Sequence, residues 1–184
     1  AALFMGLGSL VMVPLAIAFW PVKGTKANPL PSGQSLGQAL REALGYKSFW
    51  LLTSGFFVCG FQVAFIAVHL PAYVTDLGMP VTVGASALAL VGLFNVIGSY
   101  SAGVLGGKFS KKYLLNILYL ARAVVIVFLL LVPPSELVIY IFASAMGLLW
   151  LSTVPLTSGL VGQIFGMRYM SMLFGIVFFS HQIG

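Results

Sequence analysis

The sequence predicts an all-α membrane protein, and its composition, its apolar runs and the placement of its cations support this fold class. Of the 184 residues, 60% are hydrophobic and only 7% are charged, whereas about a quarter of a soluble domain is charged. Five apolar runs and a truncated sixth have the length, about 20 residues, that a helix needs to cross a bilayer. The 9 Lys and Arg residues outnumber the 3 Asp and Glu residues.

The apolar runs give the order of the predicted helices. Prolines inside them are tolerated in membranes, because neighbouring helices satisfy the backbone groups that proline frees. The runs cover residues 1–20, 49–74, 81–106, 113–132, 137–161 and the segment from 170 onward. Ala1 and Gly184 both lie in apolar sequence, so we expect the chain to be a fragment of a longer membrane protein.

The loops between the runs predict the orientation in the membrane. Cations are found in loops 21–48, 107–112 and 162–169, whereas the alternate loops hold Asp76 and Glu136 and no cation. Lys and Arg are retained on the cytoplasmic side, so the three basic loops are predicted to be cytoplasmic. The cations are spread over loops and not over one face, which argues against a nucleic-acid partner.

The first basic loop is predicted to contain a short amphipathic helix. Its opening, K-G-T-K-A-N-P-L-P-S-G, is rich in Pro and Gly and is expected to be irregular. Leu36, Leu40 and Leu44 then recur every four residues, with Arg41 and Glu42 off their face. This pattern predicts a helix along the inner membrane surface. The alternative is a solvated linker.

Small residues predict close packing of the helix over 81–106. Small side chains four residues apart let membrane helices approach each other closely. These pairs are Gly98/Ala102, Ser99/Gly103 and Gly103/Gly107. Cys59, the lone cysteine, is expected to be a small buried hydrophobic residue.

The segment 103–112, G-V-L-G-G-K-F-S-K-K, carries a family resemblance. It resembles the motif G-x-L-a-D-r-x-G-r-r, which follows the second helix of each half of a major facilitator superfamily transporter. The matching residues are Gly103, Leu105, Lys108, Lys111 and Lys112. Gly107 replaces the family's aspartate and Ser110 its later glycine, so any gating role of that carboxylate is missing from this copy.

The layout of the chain resembles the same family, in which a long basic loop with a short amphipathic helix joins two six-helix halves. The resemblance implies that the runs are helices six to eleven of twelve. Residues 1–20 would then end the N-terminal half, 21–48 would form the central cytoplasmic loop, and 49–184 would form a truncated C-terminal half. The resemblance also implies that this part of the chain packs against the missing N-terminal half of the same protein. It further implies a cytoplasmic gating loop that contains Gly103, Lys108, Lys111 and Lys112.

The stretches 49–73 and 169–184 resemble the bacterial carriers related to monocarboxylate and oxalate/formate transporters. This resemblance implies a secondary transporter of the inner membrane that moves a small solute by alternating access. The excess of cations and the lack of acids inside the runs favour an organic anion. Transport is expected to be coupled to protons or to another solute. The alternatives are a transporter for drug or cation efflux, and a polytopic membrane protein without transport activity.

Arg122 is the first candidate for substrate binding. A charged group at a helix centre costs about 3 kcal/mol, so it is a functional candidate by default. Arg122 lies ten residues after Lys112, about 15 Å along a helix and close to the midplane. A guanidinium there could pair with a substrate carboxylate. Alternatively, backbone carbonyls or neighbouring polar side chains could satisfy it as a structural group.

Three further candidates are His181, Gln62 and His69. His181 lies on what the resemblance makes a cavity-lining helix, and a histidine is suited to proton exchange near neutral pH. The alternative is a neutral histidine that holds two helices together. Gln62 and His69 are seven residues apart and share one helix face. Such a polar stripe points to substrate lining, or to hydrogen bonds between helices.

The remaining candidates are Asn95, Trp150 and Thr153. Asn95 is a polar residue in the middle of the third run, and Trp150, Thr153 and Thr157 lie on one stripe around Pro155 in the fifth. A proline frees a carbonyl and kinks the helix, which can form a bending point near a substrate. Packing of Trp150 inside the bundle is the simpler interpretation.

The sequence does not favour an enzyme. Paired carboxylates within a run, a phosphate-binding loop and a Cys/His pattern for a metal are all missing from it. We therefore expect no catalytic residue, no metal and no cofactor, and the expected partners are the lipid bilayer, a small solute and protons.

Overall fold

The computed structural model describes residues 35–184, and this part of the chain folds into α-helices joined by short turns. In chain order they are α1 (Leu36–Gly45), α2 (Lys47–Asp76), α3 (Val81–Lys108), α4 (Lys111–Leu131), α5 (Glu136–Leu149), α6 (Thr153–Phe165) and α7 (Met170–Ile183). The predicted run 1–20 and the loop residues up to 34 lie outside the described residues. The predicted all-α fold is confirmed.

Four membrane-length spans make up most of the described part. By length and composition α2, α3, α4 and the segment Glu136–Phe165 are each apolar enough to cross a membrane, and α7 is a shorter apolar helix. Their ends agree with the predicted runs to within a few residues. One difference stands out: the run predicted over 137–161 consists of two helices, α5 and α6, with a break at residues 150–152.

The short helix predicted in the basic loop is α1. Ser35 caps it, because its side chain accepts a hydrogen bond from a backbone N–H in the first turn. Ala39 and Ala43 are buried against the bundle, whereas Leu36 and Leu44 are 56% and 42% exposed. The side that packs on the bundle is therefore the alanine edge of the apolar face, where small side chains permit close contact. The membrane-surface position of the leucines stays a prediction.

The buried apolar side chains form two clusters, at opposite ends of the spans. One cluster joins α1 and the first half of α2 to α6, α7, the first half of α4 and the end of α3, and includes Phe56 and Leu173. The other joins the second half of α2 to α3, α5 and the end of α4, and includes Leu70 and Phe142. The middle of each span lies between these clusters, and this is where most of the buried polar side chains are found.

Close helix contacts depend on two glycines. A Cβ atom on Gly98 of α3 would lie 1.9 Å from the carbonyl oxygen of Leu148, and one on Gly60 of α2 would lie 1.9 Å from that of His181. The close packing predicted at Gly98/Ala102 is thus present, and both residues are buried. Gly103 and Gly107 have no neighbouring atom within 4 Å of a built Cβ, so that pair makes no such contact.

Replacement of Gly98 by alanine tests the packing of α3 on the broken span. We expect Gly98→Ala to lower the free energy of unfolding by about 1–3 kcal/mol, because the helices must separate to make room for the methyl group. Thermal unfolding of the purified protein in detergent measures this change. Gly92→Ala on the same helix is the control, since that position is open; equal melting temperatures for the two variants would contradict the packing.

Candidate functional site

The break between α5 and α6 leaves backbone groups without their usual helical partners. In a continuous helix the carbonyls of Leu149 and Trp150 would accept hydrogen bonds from N–H groups four residues later. Here Val154 N–H donates to the Leu151 carbonyl instead. Pro155 explains the position of the break, because it has no N–H and its ring clashes with the carbonyl four residues before it. The freed groups must find other donors within the bundle.

Arg122 of α4 supplies the donors for the freed carbonyls. Its Nε donates to the Leu149 oxygen over 3.1 Å. Nη2 donates to the Leu149 oxygen as well as to that of Trp150. The side chain is 1% exposed, and its guanidinium carbon lies 5.9 Å from the centre of the Tyr119 ring. The guanidinium therefore closes the C-terminal end of α5, where the helix dipole favours a positive charge.

Asn95 of α3 holds the other side of the break. Its Oδ1 accepts from the backbone N–H of Leu151 over 3.0 Å and from the hydroxyl of Ser99 over 3.2 Å. The Ser152 hydroxyl donates to the Leu148 carbonyl, 2.6 Å away, within the break itself. Two polar residues from neighbouring spans thus fix the two sides of one interrupted helix.

Cys59 links this arrangement to α2. Nη1 of Arg122 donates to its sulfur over 3.0 Å. The sulfur also lies 3.5 Å from the hydroxyl oxygen of Thr153, at the start of α6. Cys59 is fully buried, as predicted. It is also a polar partner of the arginine, a role that the sequence analysis did not assign to it.

These residues come from the middle of their helices and form a polar layer. Cys59, Asn95 and Arg122 lie close to the midpoints of α2, α3 and α4, and the break lies at the midpoint of Glu136–Phe165. The three acids of the sequence lie elsewhere. Asp76 ends α2, Glu136 begins α5 and Glu42 lies in α1. Within residues 35–184, the charge of Arg122 therefore has no acidic side chain in its layer.

Gln62 and His181 add polar atoms that lack hydrogen-bond partners. Gln62 is 7% exposed and lies one turn beyond Cys59 on α2. His181 of α7 packs against the same part of α2, with its backbone carbonyl against Gly60 and its ring centre 5.2 Å from that of Phe56. Among the described residues, neither amide atom of Gln62 and neither ring nitrogen of His181 has a partner. Buried polar groups are almost always paired, so these atoms are candidates for contact with water or a ligand.

Two other buried polar side chains share this property, of which Thr157 lies on the predicted stripe around Pro155 and Asn116 was not predicted. They are Asn116 of α4 and Thr157 of α6, whose side-chain oxygens also lack partners among the described residues. A signal for both was present in the sequence. Thr157 lies one turn after Thr153, and Asn116 lies six residues before Arg122. Cys59 likewise lies close to a predicted candidate, three residues before Gln62 on the same helix.

The other predicted candidates have different surroundings. Nδ1 of His69 is 2.9 Å from the Phe65 carbonyl of its own helix, and its ring stacks on the Phe65 ring with centres 4.2 Å apart. His69 therefore belongs to the outer part of α2 and not to the polar layer. Trp150 contributes its carbonyl to the break, and its side chain packs in the apolar cluster of α2, α3 and α5. Substrate contact by either residue stays a prediction.

The predicted gating loop is the turn between α3 and α4. Gly103 lies near the end of α3, Lys108 is its last residue, and Lys111 and Lys112 begin α4. Lys108 is exposed, whereas Lys111 is half-buried beside Gly159 of α6. The loop thus lies at the end of the spans, far along α3 from Asn95, and its gating role stays a prediction.

The helices and the buried polar layer define a polytopic α-helical membrane protein. The whole chain, residues 1–184, matches the Major Facilitator Superfamily, and the protein belongs to this family. The resemblance of the segment 103–112 is therefore confirmed at the level of the family, and the protein is an integral membrane protein.

One relative supports this assignment. The uncharacterized MFS-type transporter YcxA of Bacillus subtilis (strain 168) is 27% identical over 161 residues, which cover 79% of this chain and 39% of the relative. The chain thus spans about two-fifths of the length of this relative. No solved structure gives a significant match.

Removal of the guanidinium tests its role at the break. Arg122→Gln leaves carbonyls of the break without donors, and each buried unpaired group costs about 1–3 kcal/mol. We expect a clearly lower melting temperature in detergent. Arg168→Gln is the control, because it removes an exposed arginine from the loop before α7. If both variants unfold at the same temperature, Arg122 does not hold the break.

Proposed function

We propose that this chain is part of a secondary transporter that moves a small organic anion across the bacterial inner membrane by alternating access. Membership of the family and the similarity to an MFS-type transporter support transport as the activity. The interrupted span supports it too, because broken helices near the midplane commonly form substrate sites in transporters. In this proposal residues 49–184 form one wall of the path, and the rest of the complete transporter forms the other.

The observation that carries the choice of an anion is the buried charge of Arg122. Its hydrogen-bond partners are backbone carbonyls and the side chain of Cys59, and none of them is an Asp or Glu side chain. With an effective dielectric of about 20, an anion about 8 Å away would be attracted by about 2 kcal/mol. The arginine can therefore hold the break together and still favour an anionic solute in the same layer.

The direct contacts to the solute come, in this proposal, from Gln62 and His181. Their polar atoms are buried and lack partners among the described residues. Gln62 lies one turn beyond Cys59, a partner of Arg122, and the backbone of His181 packs on Gly60 of the same helix. An amide N–H₂ and an imidazole N–H both donate to a carboxylate. A cation would instead meet the positive charge of Arg122 in the same layer, so cation or drug efflux is disfavoured.

The same proposal includes the topology. Loops 107–112 and 162–169, together with loop 21–48, lie on the cytoplasmic side because they carry the cations. His181 would exchange a proton during the cycle, since an imidazole nitrogen can both accept and donate a proton. These steps need neither covalent chemistry nor a cofactor.

Uptake by the complete transporter tests the choice of solute. Proteoliposomes are loaded with buffer, and the uptake of radiolabelled monocarboxylates is measured for the wild type, Arg122→Gln and Asn95→Ala. We expect uptake by the wild type. We also expect kcat/KM to fall at least about tenfold in Arg122→Gln, since about 2 kcal/mol of attraction is lost.

Asn95→Ala is the matched control, because it removes a contact at the same break without removing the charge. At an equal folded fraction it should lose less uptake than Arg122→Gln. If carboxylates are not taken up, if a cationic solute is taken up instead, or if both variants lose uptake equally, the anion proposal is wrong.

A second experiment tests proton coupling through His181. We expect His181→Gln to abolish the stimulation of uptake by an imposed pH gradient, because glutamine does not titrate, while exchange of labelled for unlabelled solute at equal pH continues. His69→Gln is compared with it, since His69 already binds a carbonyl of its own helix. Unchanged gradient stimulation in His181→Gln would refute the coupling role.

A further inference from the structure

An apolar groove opens between α3 and α4 on the side of the bundle away from α7. The two helices are consecutive in the chain but make few contacts with each other beyond the turn that joins them. The broken span α5–α6 packs against both. The groove has a volume of about 230 Å³. Its walls and floor are formed by Gly98, Ser101, Ala102, Leu105, Leu114, Ile117, Leu118, Leu148, Ser152 and Leu156.

The chemistry of the lining requires an apolar occupant. Its only side-chain hydroxyls are those of Ser101 and Ser152, and both donate to carbonyls of their own helices, Ile97 and Leu148. No polar side chain of the lining is therefore left to bind a polar solute. From Gly98 to Leu105 the groove runs along α3 for about 10 Å, from the level of the polar layer towards the loop.

The end of the groove near the loop is positively charged. Leu156 at this end lies against Gly106, and a Cβ on Gly106 would come within 2.6 Å of the leucine and 3.8 Å of the Lys111 stem. A Cβ on Gly159 would lie 2.5 Å from Cε of Lys111. The two glycines thus leave a channel for the lysine stem, which is held between α3 and α6. Lys108, three residues after the lining residue Leu105 on α3, is exposed, and residues 107–112 contain no acid.

We propose that this groove binds an anionic phospholipid, with an acyl chain between α3 and α4 and the phosphate at Lys108 and Lys111. An apolar groove that ends near Lys108 and Lys111 matches a molecule with a hydrocarbon tail and a negative headgroup. Exposed apolar side chains continue the groove outward, with Ile117 59% and Tyr113 54% exposed. Basic pockets between membrane helices on the cytoplasmic side bind anionic headgroups in this way. The site meets the break at Ser152 but does not include Arg122, Asn95 or Cys59, and it does not depend on transport.

The test measures lipid binding to the complete, purified protein. Native mass spectrometry in neutral detergent gives the apparent affinities for phosphatidylglycerol and for phosphatidylcholine with the same acyl chains. We expect tighter binding of phosphatidylglycerol, and a loss of about fivefold in its affinity for each of Lys108→Gln and Lys111→Gln. Lys47→Gln is the charge control, because this exposed lysine begins α2 away from the groove, and it should leave the affinity unchanged.

Two further measurements separate the lipid from other occupants. Ser101→Leu fills the groove and should weaken binding of both lipids, whereas Ser86→Leu, on an exposed position of α3 outside the groove, should not. Glycerol phosphate, the headgroup alone, should not compete. If glycerol phosphate competes fully, the site binds free phosphate and not a lipid. If Ser101→Leu does not change lipid binding, the proposal is wrong and another helix of the chain covers the groove. Equal effects of Lys47→Gln and Lys111→Gln on the affinity would also overturn the proposal.

Discussion

The hydrogen bonds from Arg122 to the end of α5 are the interaction on which the described structure depends. A helix that breaks in the middle of a membrane exposes carbonyls where there is no water to satisfy them. The arginine reaches the oxygens of both Leu149 and Trp150 from the neighbouring span. Asn95 satisfies an N–H group on the other side of the break. Arg122 and Asn95 both lie close to the midpoints of their helices. They can therefore both bind the backbone groups that the break leaves unpaired.

The same contacts concentrate polarity in one layer. Apolar clusters fill both ends of the spans, so the polar side chains between them are shielded from the aqueous loops. Arg122 brings a full charge into this layer without an acidic partner among residues 35–184. A structural and a functional role for the arginine are therefore compatible. Its geometry is fixed by the backbone, while its charge remains available to attract an anion over several ångströms.

The fold was predictable because hydrophobic length determines where a helix can cross a membrane. The ends of α2, α3 and α4 follow from this rule to within a few residues. The break at residues 150–152 was only partly predictable. Pro155 indicates a kink. The sequence does not show that side chains of neighbouring helices form hydrogen bonds with the backbone at residues 149–151, and these bonds stabilise a full interruption of the helix. That information lies in the packing of α3 and α4 against α5.

The most polar residues of the layer were predictable from the sequence, but the hydrogen bonds between them were not. Arg122 and Asn95 are conspicuous in apolar runs, and both proved to lie at the break. Cys59 was interpreted as a hydrophobic residue, because a thiol in an apolar helix gives no sign of its partner. His69 and Gln62 share one face of α2, yet only Gln62 lies near the layer, since the layer occupies one depth and a stripe extends over several.

The most direct test of the account is equilibrium binding of a radiolabelled monocarboxylate to the complete transporter in detergent, with chloride as competitor. The account predicts saturable binding that high chloride weakens, and an affinity at least about tenfold lower in Arg122→Gln at an equal folded fraction. Equal affinity in the wild type and in folded Arg122→Gln would contradict it. The arginine would then hold the broken helix together without any part in recognising the solute.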